Sequence, residues 1–193
     1  MQDQIRRIFD ESRSAVRQAE EHLCGRIQQA VELIVASYRS RGGVLVFGNG
    51  GSAADAQHIA CELVGRFQVD RPGLRAVALT ADISTLTSIA NDYGFEAVFA
   101  RQVEALGRAG DVAIGLSTSG NSPNVVNALI AARRGGLKTI ALTGEGGGRC
   151  GELADVLLDV PCHCTPRVQE AHAVIYHTIC QFVEATVCED GRD

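Results

Sequence analysis

Five short apolar runs punctuate this chain, and their placement limits the fold more than any other feature. They are VLVF (44–47), RAVAL (75–79), DVAIGLS (111–117), LKTIALTG (137–144) and DVLLDVP (155–161). Each is too short for a helix and too continuously apolar for a strand with one wet face. Stretches of helical period lie between them: 52–67, ISTLTSIAND, FEAVFARQVEALG, about 122–135, and a long final helix over 167–188. Strands alternating with helices in this rhythm predict a parallel sheet covered on both faces, in one domain over residues 1–193. Residues 1–42 read as a helical region, in two pieces, ahead of an α/β core over 43–193. Ile5, Ile8, Phe9, Ser12, Val16 and Ala19 mark one helical face, and Ile27, Ala30, Val31, Ile34, Val35 and Tyr38 a second. Such a start serves oligomer packing or covers its own domain, and the pattern alone does not choose.

Ligands of open parallel sheets bind at the carboxyl ends of the strands. The turn after the first strand is Gly48-Asn49-Gly50-Gly51-Ser52, opening a helix whose free N–H groups favour an anion. It has no lysine at the Walker position. It does match G-x-G-x-x-A, so a dinucleotide site competes, without an acid at the expected strand end. The turn after the third strand is STSGNS. Ser117, Thr118, Ser119, Asn121 and Ser122 crowd donors around Gly120, more than a helix cap needs. Two neutral anion cradles suit a phosphosugar better than a dinucleotide.

His58 and Glu62 lie one turn apart on the first core helix. Gln169, His172 and His177 lie on the last one. The set His58, Glu62, Gln169 and His177 suits zinc, although glutamine is an uncommon ligand. Taken singly, His58 and His177 read equally well as interior histidines, and His172 reads as structural. Cys162-His163-Cys164 falls short of a four-ligand site. Cys61 and Cys180 read as core fillers.

Seven cysteines without framework spacing read as reduced thiols in a cytoplasmic protein. A net charge of −5 argues against a nucleic-acid or membrane-surface partner. No signal peptide and no membrane span are expected.

The blocks GNGGSAADAQHIACELVGRF, SIANDYGF, GDVAIGLSTSGNSPNVVNAL, ALTGEGGG and RVQEAHAVIYH occur in order over nearly the whole chain. Together they resemble the phosphoheptose isomerase family of sugar-isomerase (SIS) domains. The resemblance implies a three-layer α-β-α fold with a five-stranded parallel sheet, assembled as a homotetramer with active sites between subunits. It implies conversion of D-sedoheptulose 7-phosphate to D-glycero-D-manno-heptose 7-phosphate, the first step towards ADP-heptose for lipopolysaccharide. It implies one Zn2+ per subunit on His58, Glu62, Gln169 and His177. Substrate contacts would come from Asn49, Gly50, Gly51, Ser52, Asn91, Asp92, Ser117, Thr118, Ser119, Ser122 and Gln169. Glu62 is expected to move the carbon-bound proton and His177 the oxygen-bound ones, with Arg66 and Asp92 as lesser candidates for orienting substrate. Pro166 stands where some members carry an acid, and the CHCTP loop is idiosyncratic. Two other readings of the fold remain: a non-catalytic tetramer that binds the bacterial replication initiator, and a phosphosugar-sensing module.

Overall fold

The computed structural model describes residues 1–190; positions 191–193 of the expected domain lie outside the described residues. Five strands form one wholly parallel sheet: β1 (Val44–Gly48), β2 (Ala76–Ala78), β3 (Val112–Ser117), β4 (Lys138–Thr143) and β5 (Val156–Asp159). The order across it is β2-β1-β3-β4-β5. β1 and β3 are buried at every position, which is why they read as unbroken apolar runs. Their side chains still alternate between two cores. Val44, Val46, Val112, Ile114 and Leu116 face one layer, and Leu45, Phe47 and Ala113 face the other.

The first layer contains α1 (Gln2–Arg39), α2 (Gly51–Val64) and α7 (Thr165–Asp190). The opposite layer contains α3 (Ile83–Tyr93), α4 (Ala100–Leu106), α5 (Pro123–Arg134) and α6 (Gly148–Leu153). The expected three-layer α/β architecture is therefore present. No helix among the described residues is long and apolar enough to cross a membrane.

The helical start is one helix of 38 residues and not two pieces. The two apolar faces join through Leu23: Ala19, Leu23, Ile27, Ala30 and Ile34 follow one another at steps of three or four, a single unbroken stripe. The stretch FEAVFARQVEALG is split instead. A 3₁₀ turn at Phe95–Ala97 precedes α4, because Gly94 leaves α3 with φ of 86° and the chain then turns to bury Val98 and Phe99. The sequence pattern did not suggest α6. Its glycines are poor helix formers, and tertiary contacts hold it: Cys150 is buried and its N–H donates to the Gly120 carbonyl at 2.8 Å.

The chain moves from β1 outward to β2 on one side, and from β3 through β4 to β5 on the other. The reversal falls between β1 and β3, and there the carboxyl ends of both strands open a crevice.

Candidate active site

Both anion turns border that crevice. Asn49 and Asn124 exchange two amide hydrogen bonds across it, each 2.8 Å. This reciprocal pair locks the turn after β1 to the first turn of α5, and Asn124 is buried. Sequence reasoning passed over Asn124, although its place two residues into α5, after Ser122, was a usable signal. The hydroxyls of Ser117 and Ser122 lie 3.0 Å apart, with the Ser119 hydroxyl 3.4 Å from Ser117. Ser52 is buried at the start of α2, Asn49, Thr118 and Ser122 are half-buried, and Gly50 and Ser119 face solvent. The serine turn is braced from behind by the glycines after β4. Gly120 has φ of 66°, and a Cβ there would stand 2.2 Å from the Gly147 carbonyl oxygen, so only glycine fits.

α2 and α7 run side by side in the same direction. Contacts between them keep a nearly constant sequence offset: Tyr176 with His58, His177 with His58, and Glu184 with Phe67 differ by 118, 119 and 117 positions. The same offset sets Gln169 over Gly51, where an added Cβ would fall 2.5 Å from the Gln169 amide nitrogen. A side chain at position 51 would push the Gln169 amide out of this place.

About two turns further along, the imidazoles meet. His177 Nε2 lies 3.5 Å from His58 Nε2, and His58 Nε2 lies 3.0 Å from Glu62 Oε1. The predicted cross-helix meeting of Glu62, His58 and His177 is thus present. Among the described residues no hydrogen bond or ring contact joins Gln169 to this group, and its amide stays on the turn side. Behind His58 the Tyr176 hydroxyl donates to Asp55 Oδ1 at 3.4 Å and lies 3.3 Å from His58 Nδ1. Burial pushes the Tyr176 hydroxyl up to about 12, helped by the neighbouring Asp55 charge. Burial raises Asp55 as well, against the Tyr176 hydrogen bond and the two histidines. Carboxylate, phenol and imidazole in series are a known way to fix the orientation of a metal-binding histidine. The Phe67 ring covers the other side of His177, with centroids 5.8 Å apart.

Cys61 corrects an expectation. It is exposed and not a core filler, because it sits one position before Glu62 and three after His58 on the open face of α2. Its sulfur, one ring nitrogen of His58 and one oxygen of Glu62 all lie within 4.8 Å of one another. Burial, then the Glu62 charge, raises its thiol pKa. Cys180 is buried as expected. His172 is structural, buried with Nε2 donating to the Thr143 carbonyl at 3.0 Å. His163 pairs with Glu145 at 2.8 Å, so the Cys162–Cys164 loop gathers no ligand set.

Asn91 and Asp92 precede the 3₁₀ turn whose Glu96 carbonyl accepts from Asn127 of α5 at 3.2 Å. They bond each other at 2.9 Å on the exposed end of α3, and no hydrogen bond among the described residues ties them to either turn. Arg66 is likewise exposed, beyond the end of α2.

Comparison with known proteins places the chain in a family. The SIS domain family model matches residues 8–144. A phosphoheptose isomerase of Sulfurimonas denitrificans is 48% identical over 191 residues, covering 99% of this chain and 97% of that protein. One from Geobacter sulfurreducens is 52% identical over 184 residues, covering 95% and 97%. The structure of a phosphoheptose isomerase from Neisseria gonorrhoeae superposes with a TM-score of 0.91 at 47% identity, covering 95% of this chain and 98% of that one. With the family model matched over residues 8–144 and likeness along nearly its whole length, the chain belongs to the phosphoheptose isomerases of the SIS-domain family.

Proposed function

We propose that this chain converts D-sedoheptulose 7-phosphate to D-glycero-D-manno-heptose 7-phosphate, in the cytoplasm, as the entry step to ADP-heptose and lipopolysaccharide core. The observation that carries this reading is the meeting of Glu62, His58 and His177 on parallel helices, one of which starts at a phosphate-type turn. The distance along α2 from Gly51 to His58 is about 10 Å at 1.5 Å per residue. An open-chain seven-carbon sugar can therefore hold its phosphate at the turns while C1 and C2 reach the side-chain cluster.

The phosphate is held by the Ser117, Thr118, Ser119 and Ser122 hydroxyls and the free N–H groups opening α5, with Ser52 beside them. Asn49, Gly50, Gly51 and Gln169 line the path of the carbon chain. Isomerisation shifts hydrogen between C1 and C2 through an enediol. Glu62 Oε1 faces His58, which leaves the second oxygen to take the carbon-bound proton and return it to the adjacent carbon. His177 exchanges protons with the C1 and C2 oxygens. Two imidazole nitrogens facing each other beside a carboxylate are a donor set suited to a divalent ion. His58, Glu62 and His177, with Gln169, would hold Zn2+, which when bound polarises the sugar oxygens.

The reading extends to a homotetramer in which residues 1–42 of each single-domain chain assist assembly. Asn91 and Asp92, exposed at the end of α3, would contact the substrate where copies of the chain meet. A non-catalytic sensor or initiator-binding role has no use for Glu62 and His177 held together. Glu62→Gln tests the assignment. We expect kcat to fall by roughly 10²–10⁴ while calorimetry still detects sugar-phosphate binding; turnover within a few-fold of wild type would refute it.

A further inference from the structure

We propose that Cys61 supplies a sulfur ligand to the metal site built on His58 and Glu62. The proposal rests on the metal reading of that cluster given above and adds a donor to it. Three observations support it. The sulfur lies with one His58 nitrogen and one Glu62 oxygen inside a 4.8 Å group. Positions 58, 61 and 62 share one helix face, so all three side chains can turn towards a single point without moving the backbone. And the sulfur makes no hydrogen bond among the described residues, whereas Cys24 donates to the Glu20 carbonyl and Cys162 accepts from the Cys164 N–H. Gln169, the remaining oxygen donor of the site, rests against Gly51, about two turns from His58.

A thiolate changes what the site prefers. Imidazole and carboxylate alone accept a range of divalent ions, while sulfur shifts the choice towards zinc and other soft metals. Binding costs the thiol its proton, which passes to solvent, so affinity gains a pH dependence that a serine at this position would lack. Cys61 is exposed, and replacing it by serine removes no core packing.

The test uses the full-length protein, stripped with a chelator and titrated with Co2+. Visible d–d bands report cobalt held by the histidines, and a near-ultraviolet charge-transfer band reports a cobalt–thiolate bond. The wild type is expected to show both. Cys61→Ser is expected to keep the visible bands, lose the near-ultraviolet band, and bind Zn2+ at least about tenfold more weakly in competition with a chromophoric chelator. Circular dichroism confirms that the variant is folded. Visible bands without a charge-transfer band in the wild type overturn the sulfur ligand and leave the metal site standing. A charge-transfer band that survives in Cys61→Ser assigns the sulfur to another cysteine and also overturns it. No cobalt uptake by the wild type removes the metal site itself, and the proposal with it.

Discussion

His172 shows how one buried side chain ties the last helix to the sheet beside the site. Its Nε2–H donates to the carbonyl of Thr143 at the end of β4, while Nδ1 finds no partner among the described residues. Burial pulls its pKa from 6.5 down to about 4, against the Thr143 hydrogen bond. The unfolded chain takes up a proton near pH 6.5, but the folded chain holds out to about pH 4. Between those values the unfolded state binds more protons, so stability falls as pH falls. Its contribution is fully present above pH 6.5. The loss on reaching pH 4 is about 3 kcal/mol, at 1.36 kcal/mol per pH unit. His172→Gln, which keeps an N–H for Thr143 but does not titrate, is expected to flatten this decline. Urea unfolding at a series of pH values measures it, and parallel curves for the two proteins would exclude His172 as the titrating group.

At the scale of elements, the end of α2 is fastened by an ion pair that faces away from the chemistry. Glu184 on α7 accepts the N–H groups of Phe67, Gln68 and Val69 at 2.6–2.9 Å and pairs with Arg71 at 3.0 Å, both side chains being 3% exposed. Burial works to raise the Glu184 pKa, but these partners prevail and hold it below the ordinary value. Arg71 in turn donates to the Glu62 and Leu63 carbonyls, closing the carboxyl end of the helix that carries Glu62. Removing one partner strands a buried charge, so Glu184→Ala is expected to cost about 3–5 kcal/mol. Chemical denaturation checks this; a loss below 1 kcal/mol would show that the clamp contributes little. The sequence disclosed the elements themselves well, because strands buried on both faces must be apolar throughout, as β1 and β3 are. It disclosed His58 with Glu62 because that spacing lies within one helix. The alignment of α2 with α7 was hidden: an offset near 118 residues is a consequence of topology and not of local pattern. Asp55 and Tyr176 matter only through that arrangement, and nothing in their neighbourhoods marks them. Cys61 was visible at three residues from His58, but an apolar helical context made it look like packing.

At the scale of the molecule, the face formed by α1 and α7 is too apolar to be left in water. Ile5, Ile8 and Phe9 on α1 are 47%, 49% and 61% exposed, and Val174 and Phe182 on α7 are 48% and 56% exposed. Phe182 lines a groove of about 510 Å³ between the two helices, with Cys24, Ile27, Val31 and Thr178. At 1.5 Å per residue α1 is about 57 Å long, and its first turns reach solvent while its second half packs against α7 and the sheet. Exposed apolar side chains along paired helices suit a surface where copies of a chain meet. The proposed homotetramer, with its sites between subunits, needs such a meeting. Phe182→Asp is therefore expected to release the 20.5 kDa chains from the proposed homotetramer, seen as a lower mass by light scattering, with helical content unchanged. Turnover is expected to fall with assembly, and to recover in part at high protein concentration as mass action restores the contact. A variant that stays tetrameric and fully active would place the interface elsewhere. One that dissociates but keeps full turnover would show that each chain completes its own site.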